Sequence, residues 1–225
     1  MHALEHCDID AAGIRYHYLK AGKGAPVLML HGFPENCDSY SKNYQPLVDA
    51  GCQVFIPDLK GYGKSDKPLP GQNHGDYRMS QVALEIKALV HALGFEQMHV
   101  VGHDWGGVIL SAMIHQCPEV IGKAVILNAP FRRFQPLRPR HIYYFNLPGF
   151  VERRFKHDPH GLIGGIFNYW TQESAAFTRH EIADYVEAFQ TQNSFDCAMG
   201  YYRALRKDLG FMWRAIRAPL PTPGP

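Results

Sequence analysis

Met98-His99-Val100-Val101-Gly102-His103-Asp104-Trp105-Gly106-Gly107 lies near the middle of the 225-residue chain, and its reading decides the fold. Met98–Val101 is a short apolar run, the pattern of a strand covered on both faces. Gly102 and Gly106 permit a sharp turn and a close approach of strand to helix. Gly107–Gln116 then reads as a helix that stops near Pro118. The turn lifts the Asp104 side chain above the sheet, and the positive end of the following helix favours its ionised form.

Working outward, the same rhythm recurs. Pro26–Leu30 is an apolar run ending in His31-Gly32, Cys52–Ile56 ends in Pro57-Asp58, and Lys123–Leu127 ends in Asn128. Two further strands, His6–Ala11 and Ile14–Leu19, flank a turn at Gly13. Between the runs lies a clear helix, Ser80–Leu93. Ser80 is its expected N-cap, Val82, Ile86, Leu89, Val90 and Leu93 form one face, and Gly94 stops it. Alternating strands and helices predict a parallel α/β sheet, whose ligands sit beyond the C-terminal strand ends. His31, Asp58, Asp104 and Asn128 all fall there. Beyond Asn128 the pattern turns helical and aromatic, with helices expected at His141–Asn146, Leu162–Thr171, His180–Thr191 and Ser194–Lys207.

A carboxylate raised on such a turn suits attack on an sp3 carbon that carries a leaving group. It displaces a halide or opens an epoxide and leaves an ester on the protein. Water activated by a histidine then attacks the ester carbonyl, a step that needs hydrogen-bond donors for the developing oxyanion. The backbone N–H groups of Phe33 and Trp105 are the natural donors. Taken alone, Gly-x-Asp-x-Gly also fits an ordinary strand-to-helix turn.

Three motifs in order change that balance: His31-Gly32-Phe33-Pro34-Glu35, Asp58-Leu59-Lys60-Gly61-Tyr62-Gly63-Lys64-Ser65-Asp66, and Val101-Gly102-His103-Asp104-Trp105-Gly106-Gly107. Together they resemble the α/β-hydrolase superfamily, in its group of epoxide hydrolases and haloalkane dehalogenases with an Asp nucleophile. The resemblance covers about residues 5–215. It implies an α/β-hydrolase sheet, mostly parallel, in 1–130 and a helical cap in 131–214 inserted after the sixth strand. It also implies Asp104 as nucleophile, with Tyr202 and His141 as cap groups that hold the leaving atom. His31, Pro34, His103 and Tyr144 would line the substrate pocket. Epoxide hydrolases carry a tyrosine where His141 stands, and haloacetate dehalogenases also place a histidine there. Those dehalogenases carry arginines where Trp105 and Val108 stand here, and haloalkane dehalogenases an Asn at Phe33. The epoxide reading is therefore preferred, with a halogenated substrate as the alternative.

Composition narrows the field. Hydrophobic residues make up 46% and charged residues 20%, with a net charge of +2, which offers no electrostatic case for nucleic acid. No apolar run reaches membrane-spanning length, and the N-terminus has no signal-like apolar core. Five scattered cysteines contain no C-x-x-C pair, so free thiols in a reducing cytoplasm are expected. Gly63-Lys64-Ser65 lacks the preceding glycine of a phosphate loop, since that position is Asp58. His99 and His103 stand about 13 Å apart on a strand, too far to share a metal. No cofactor is expected.

The family places two more strands after the cap, bringing an acid and a histidine. Ile216-Arg217-Ala218-Pro219 resembles the approach to the first of them. The tail then reads Leu220-Pro221-Thr222-Pro223-Gly224-Pro225, which cannot form a central strand. The resemblance thus implies a sheet without its last two strands, a remnant tail at 215–225, and a sixth strand open to self-association. It also implies an ester that forms once and is not released, with His103 turned away from Asp104 along the strand. A non-catalytic remnant that binds apolar ligands is the reading from a different class.

Overall fold

The computed structural model describes residues 3–73, 75–129, 140–173 and 176–219. The first part contains β1 (Glu5–Ala11), β2 (Ile14–Gly22), β3 (Ala25–Leu30), α1 (Gln45–Asp49), β4 (Cys52–Pro57) and α2 (Met79–Ala92). After these come β5 (Met98–His103), α3 (Trp105–Gln116) and β6 (Ile121–Leu127). The helices α4 (Arg140–Phe145), α5 (Phe150–His157), α6 (Pro159–Trp170), α7 (Arg179–Gln190) and α8 (Ser194–Arg217) complete the described chain. Residues 130–139 and the proline-rich 220–225 lie outside the described residues, and with them part of the expected cap and tail.

The sheet order is β1-β2-β4-β3-β5-β6. β1 and β2 form an antiparallel hairpin whose two turn residues, Ala12 and Gly13, both have positive φ, as a tight hairpin turn requires. β2 joins β4 antiparallel, and β4, β3, β5 and β6 run parallel. Strand alternation splits the core in two. Val27 and Met29 face Tyr40, Tyr44 and Val48 on one side of the sheet. Leu28 and Leu30 face Ile86, Leu89, Ile109, Leu110 and Met113 of α2 and α3 on the other.

Four local readings differ from the structure, each for a physical reason. Ser80 does not cap α2: the helix starts at Met79, and Ser80 Oγ donates to Asp208 Oδ1 of α8 at 2.6 Å. The helix face was legible all the same, with Val82, Ile86, Leu89 and Val90 fully buried. α5 escaped notice because Glu152, Arg153, Arg154 and Lys156 dominate its composition. Its apolar pair Val151 and Phe155, one turn apart, is buried, and the Phe155 ring stacks on Phe195 at 4.1 Å.

α8 runs past Lys207 to Arg217, held by Asp208 and by Leu205 and Met212 against the core. It passes through 215–217 without a break, so Ile216-Arg217 is helical rather than the approach to a strand. Pro219 then forbids continuation. Finally, among the described residues β6 is not covered on both faces. Residues 122–125 are exposed, and Val125 and Leu127 are 47% and 44% exposed.

Candidate active site

The site is built where strand ends meet. Asp104 sits between β5 and α3 with φ +50°. Its N–H donates to Leu127 O of β6, and Gly106 N–H donates to His31 O beyond β3. Three segments therefore cross at one point, and only glycine fits the crossings. A Cβ added at Gly32 would lie 2.4 Å from Asp104 Cβ, and one at Gly106 would lie 2.1 Å from Leu30 O. The packing at Gly32 brings the next residue into contact: Phe33 N–H donates to Asp104 Oδ1 at 2.9 Å.

The electrostatics at Asp104 depart from the sequence expectation. Burial raises its pKa, while the backbone N–H groups of Phe33 and Trp105 pull it down without cancelling the rise. The helix terminus alone does not set the ionisation.

A cavity of about 1280 Å³ opens over this point. Phe33, Pro34, Glu35, His103, Asp104, Trp105, His141 and Tyr202 all line it, drawn from the loop after β3, the turn after β5, α4 and α8. Tyr202 is buried, with ring centroids of Phe145 at 4.7 Å, Trp105 at 4.9 Å and Phe33 at 5.6 Å around it. Burial and then the Asp104 charge raise its phenol pKa, so the hydroxyl is a proton donor at neutral pH. His141 packs edge-on against Trp170 at 4.9 Å, and burial lowers its pKa, which keeps the ring neutral.

Two expected placements are corrected and one is extended. His103 lines the Asp104 cavity, as expected of a pocket residue, and donates from Nδ1 to Glu35 Oε2 at 3.1 Å. That hydrogen bond raises its pKa and leaves Nε2 as the basic nitrogen of the neutral ring. His31 is not a pocket residue. It is fully buried, Nδ1 donates to Gly32 O at 2.9 Å, and Leu59 N–H donates to Nε2 at 3.0 Å. Both ring nitrogens are spent on tying two loops together. Tyr144 lines a separate cavity rather than this one. Conversely, Glu35, Phe167 and Trp170 line the cavity without having been singled out, and Asn128, expected at a ligand-facing strand end, lines it too. Glu35 stands in the quoted His-Gly-Phe-Pro-Glu motif, which was the available signal.

One group with metal-ligand chemistry occurs among the described residues: buried His17, Cys37 and Asp58, with ligand atoms within 4.8 Å of one another. These groups already satisfy one another. Asp58 accepts from His17 Nδ1, Cys37 N–H and Lys64 N–H at 2.8–2.9 Å. Burial opposes its ionisation, but these donors and the nearby His31 hold its pKa at about 2. The network braces the loop after β4. No helix among the described residues is long and apolar enough to cross a membrane.

Comparison with known proteins agrees with this architecture. The family model described as the α/β hydrolase fold matches residues 25–164. Epoxide hydrolase 4 of Homo sapiens is 28% identical over 233 residues, covering 95% of this chain and 63% of that protein. The chain thus spans just under two thirds of that relative's length. A fluoroacetate dehalogenase of a Burkholderia species is 30% identical over 226 residues, covering 94% of this chain and 74% of the dehalogenase. The solved structure of an epoxide hydrolase from an endophytic Streptomyces superposes with a TM-score of 0.83 at 26% identity, covering 96% of this chain and 76% of that one. With its mostly parallel sheet and the crossing of strands at Asp104, the chain belongs to the α/β-hydrolase fold family, in the group of epoxide hydrolase-like and dehalogenase-like members.

Proposed function

We propose that this chain opens epoxides through an ester on Asp104. The observation that carries the reading is the Phe33 N–H donated to Asp104 Oδ1 inside a cavity that Tyr202 also lines. With Oδ1 held, Oδ2 is the attacking atom. It bonds to a ring carbon, the carbon–oxygen bond breaks, and Tyr202 gives its proton to the departing oxygen. The helices α4–α8 act as a cap, supplying Tyr202 and His141 opposite the strand ends. The N–H groups of Phe33 and Trp105 then serve as the oxyanion hole when water attacks the ester carbonyl.

Release of the ester needs a base. The expectation of an ester that forms once and stalls rested on the lack of the family's late acid and histidine, with His103 facing away and the other histidines misplaced. His103 lines the cavity with Glu35 at its Nδ1, and this pair is the base we assign to the attacking water. Displacement of a halide by the same carboxylate is the second reading, favoured by the neutral His141 in the cavity and the likeness to the fluoroacetate dehalogenase.

The test is product per enzyme over time with a chromogenic epoxide. Wild type should exceed one equivalent, and Asp104→Asn should release none. His103→Gln should give a burst of one equivalent and then slow by about a hundred- to ten-thousand-fold. A His103→Gln enzyme that turns over like wild type would remove His103 from the mechanism. An active Asp104→Asn would remove the mechanism itself.

A further inference from the structure

The helices after β6 leave a continuous apolar surface in solvent. Tyr143 of α4, Leu147 in the turn after it, Phe150 at the start of α5, and Tyr169 and Trp170 at the end of α6 are all exposed. Leu147 and Phe150, at the projecting turn, are 52% and 50% exposed. Tyr143 and Leu147 stand about one helical turn apart, and Phe150 N–H donates to Leu147 O at 3.4 Å. The Tyr144 ring lies 5.6 Å from that of Phe150 and shares the wall of one cavity with Tyr169 and Trp170.

The charge around this surface has one sign. Between Arg140 and Trp170 the chain holds two acids, Glu152 and Asp158. Both are engaged within the fold: Glu152 pairs with Arg203 of α8, and Asp158 Oδ1 accepts from Gly161 N–H at 2.8 Å as the cap of α6. Glu173, just past Trp170, lines the Asp104 cavity. Arg153, Arg154 and Lys156 of α5 are exposed. Arg153 Nε donates to Gly149 O at 2.9 Å, which holds that cation beside Phe150. The net charge of +2 over the whole chain conceals this local excess.

We propose that this face docks the protein on an anionic phospholipid surface. Leu147 and Phe150 enter the acyl boundary, and Tyr143, Tyr169 and Trp170 lie at headgroup level, where amphipathic rings are favoured. Arg153, Arg154 and Lys156 meet the anionic headgroups. Other occupants satisfy only half of these features. A second copy seated face to face sets the same cations against one another. A nucleic acid pairs the cations but leaves Leu147 and Phe150 in water. Tyr169 and Trp170 also line the Asp104 cavity, so docking sets that cavity against the phase in which apolar epoxides dissolve.

Flotation of the full chain with vesicles tests this without any turnover, so it stands apart from the Asp104 reading. Wild type should float with vesicles of phosphatidylcholine containing about one third phosphatidylserine, stay behind with phosphatidylcholine alone, and be released by high salt. Arg154→Gln combined with Lys156→Gln should weaken binding about thirtyfold. Leu147→Ser combined with Phe150→Ser should weaken it by a similar factor. All four side chains are exposed, so circular dichroism of both variants should match wild type. Wild type that ignores the anionic vesicles, or variants that float as well as wild type, would overturn the proposal. So would a wild type that ignores vesicles while Leu147→Ser with Phe150→Ser suppresses association seen by light scattering, since the face would then belong to a second copy.

Discussion

At the scale of single residues, Asp104 and Gly32 carry the sharpest expectations. In the proposed mechanism Asp104 attacks only when ionised, and its pKa is raised, chiefly by burial. Ester formation should therefore fall as pH drops, with a midpoint above the ordinary aspartate value of about 3.9. A pH profile of the labelling rate checks this, and a midpoint at or below that value would contradict it. Gly32→Ala places a Cβ where Asp104 Cβ and Oδ1 stand, at 2.4 and 2.7 Å. A carboxylate displaced by about an ångström should lose on the order of a hundredfold in labelling rate, with the circular dichroism spectrum unchanged. Asp104, Phe33 and Trp105 were legible in the sequence because each stands in a short local motif, at a turn that contiguous residues define. The fate of His31 was not: Leu59, which uses one of its ring nitrogens, lies 28 positions away. Glu35 and His103 are 68 positions apart, and no pattern in the chain announces that pairing.

At the scale of elements, α2 is tied to the loop after β4 by a fully desolvated ion pair. Lys60 Nζ donates to Glu85 at 2.7–2.8 Å, and Lys60 is 0% exposed. Burial pushes the lysine down and the glutamate up, so each depends on its partner for its charge. Lys60→Met should destabilise the fold by about 3–5 kcal/mol in urea unfolding, because it leaves Glu85 buried alone. Adding Glu85→Leu should recover most of that loss. A double variant as unstable as the single one would mean that the two sites act independently. Helix α2 was readable from its apolar face, but its start was not, since the Ser80 hydroxyl is claimed by Asp208 from 128 positions away. The length of α8 was hidden for the same reason. Its second half is fixed by tertiary contacts of Asp208 and Met212, and no turn in local propensity marks Lys207 as an end.

At the scale of the whole molecule, the sheet was legible because four apolar runs, each closed by a polar or glycine residue, can only be strands of one parallel layer. What that pattern does not reveal is exposure. β6 has the same kind of sequence as β5, yet among the described residues it pairs with β5 alone and leaves Val125 and Leu127 open. An unpaired edge with apolar side chains invites a second chain. Light scattering should show association that grows with concentration and is reduced by Val125→Lys, and a monomer at every concentration would argue that another part of the protein covers the edge. The proposed chemistry rests on a bond that forms at one atom pair in this assembly. Peptide mapping by mass spectrometry after brief exposure to an epoxide tests it most directly. A hydroxyalkyl ester is expected on the peptide containing Asp104 and is absent from Asp104→Asn, whereas an adduct confined to cysteine or histidine side chains would rule out attack by Asp104.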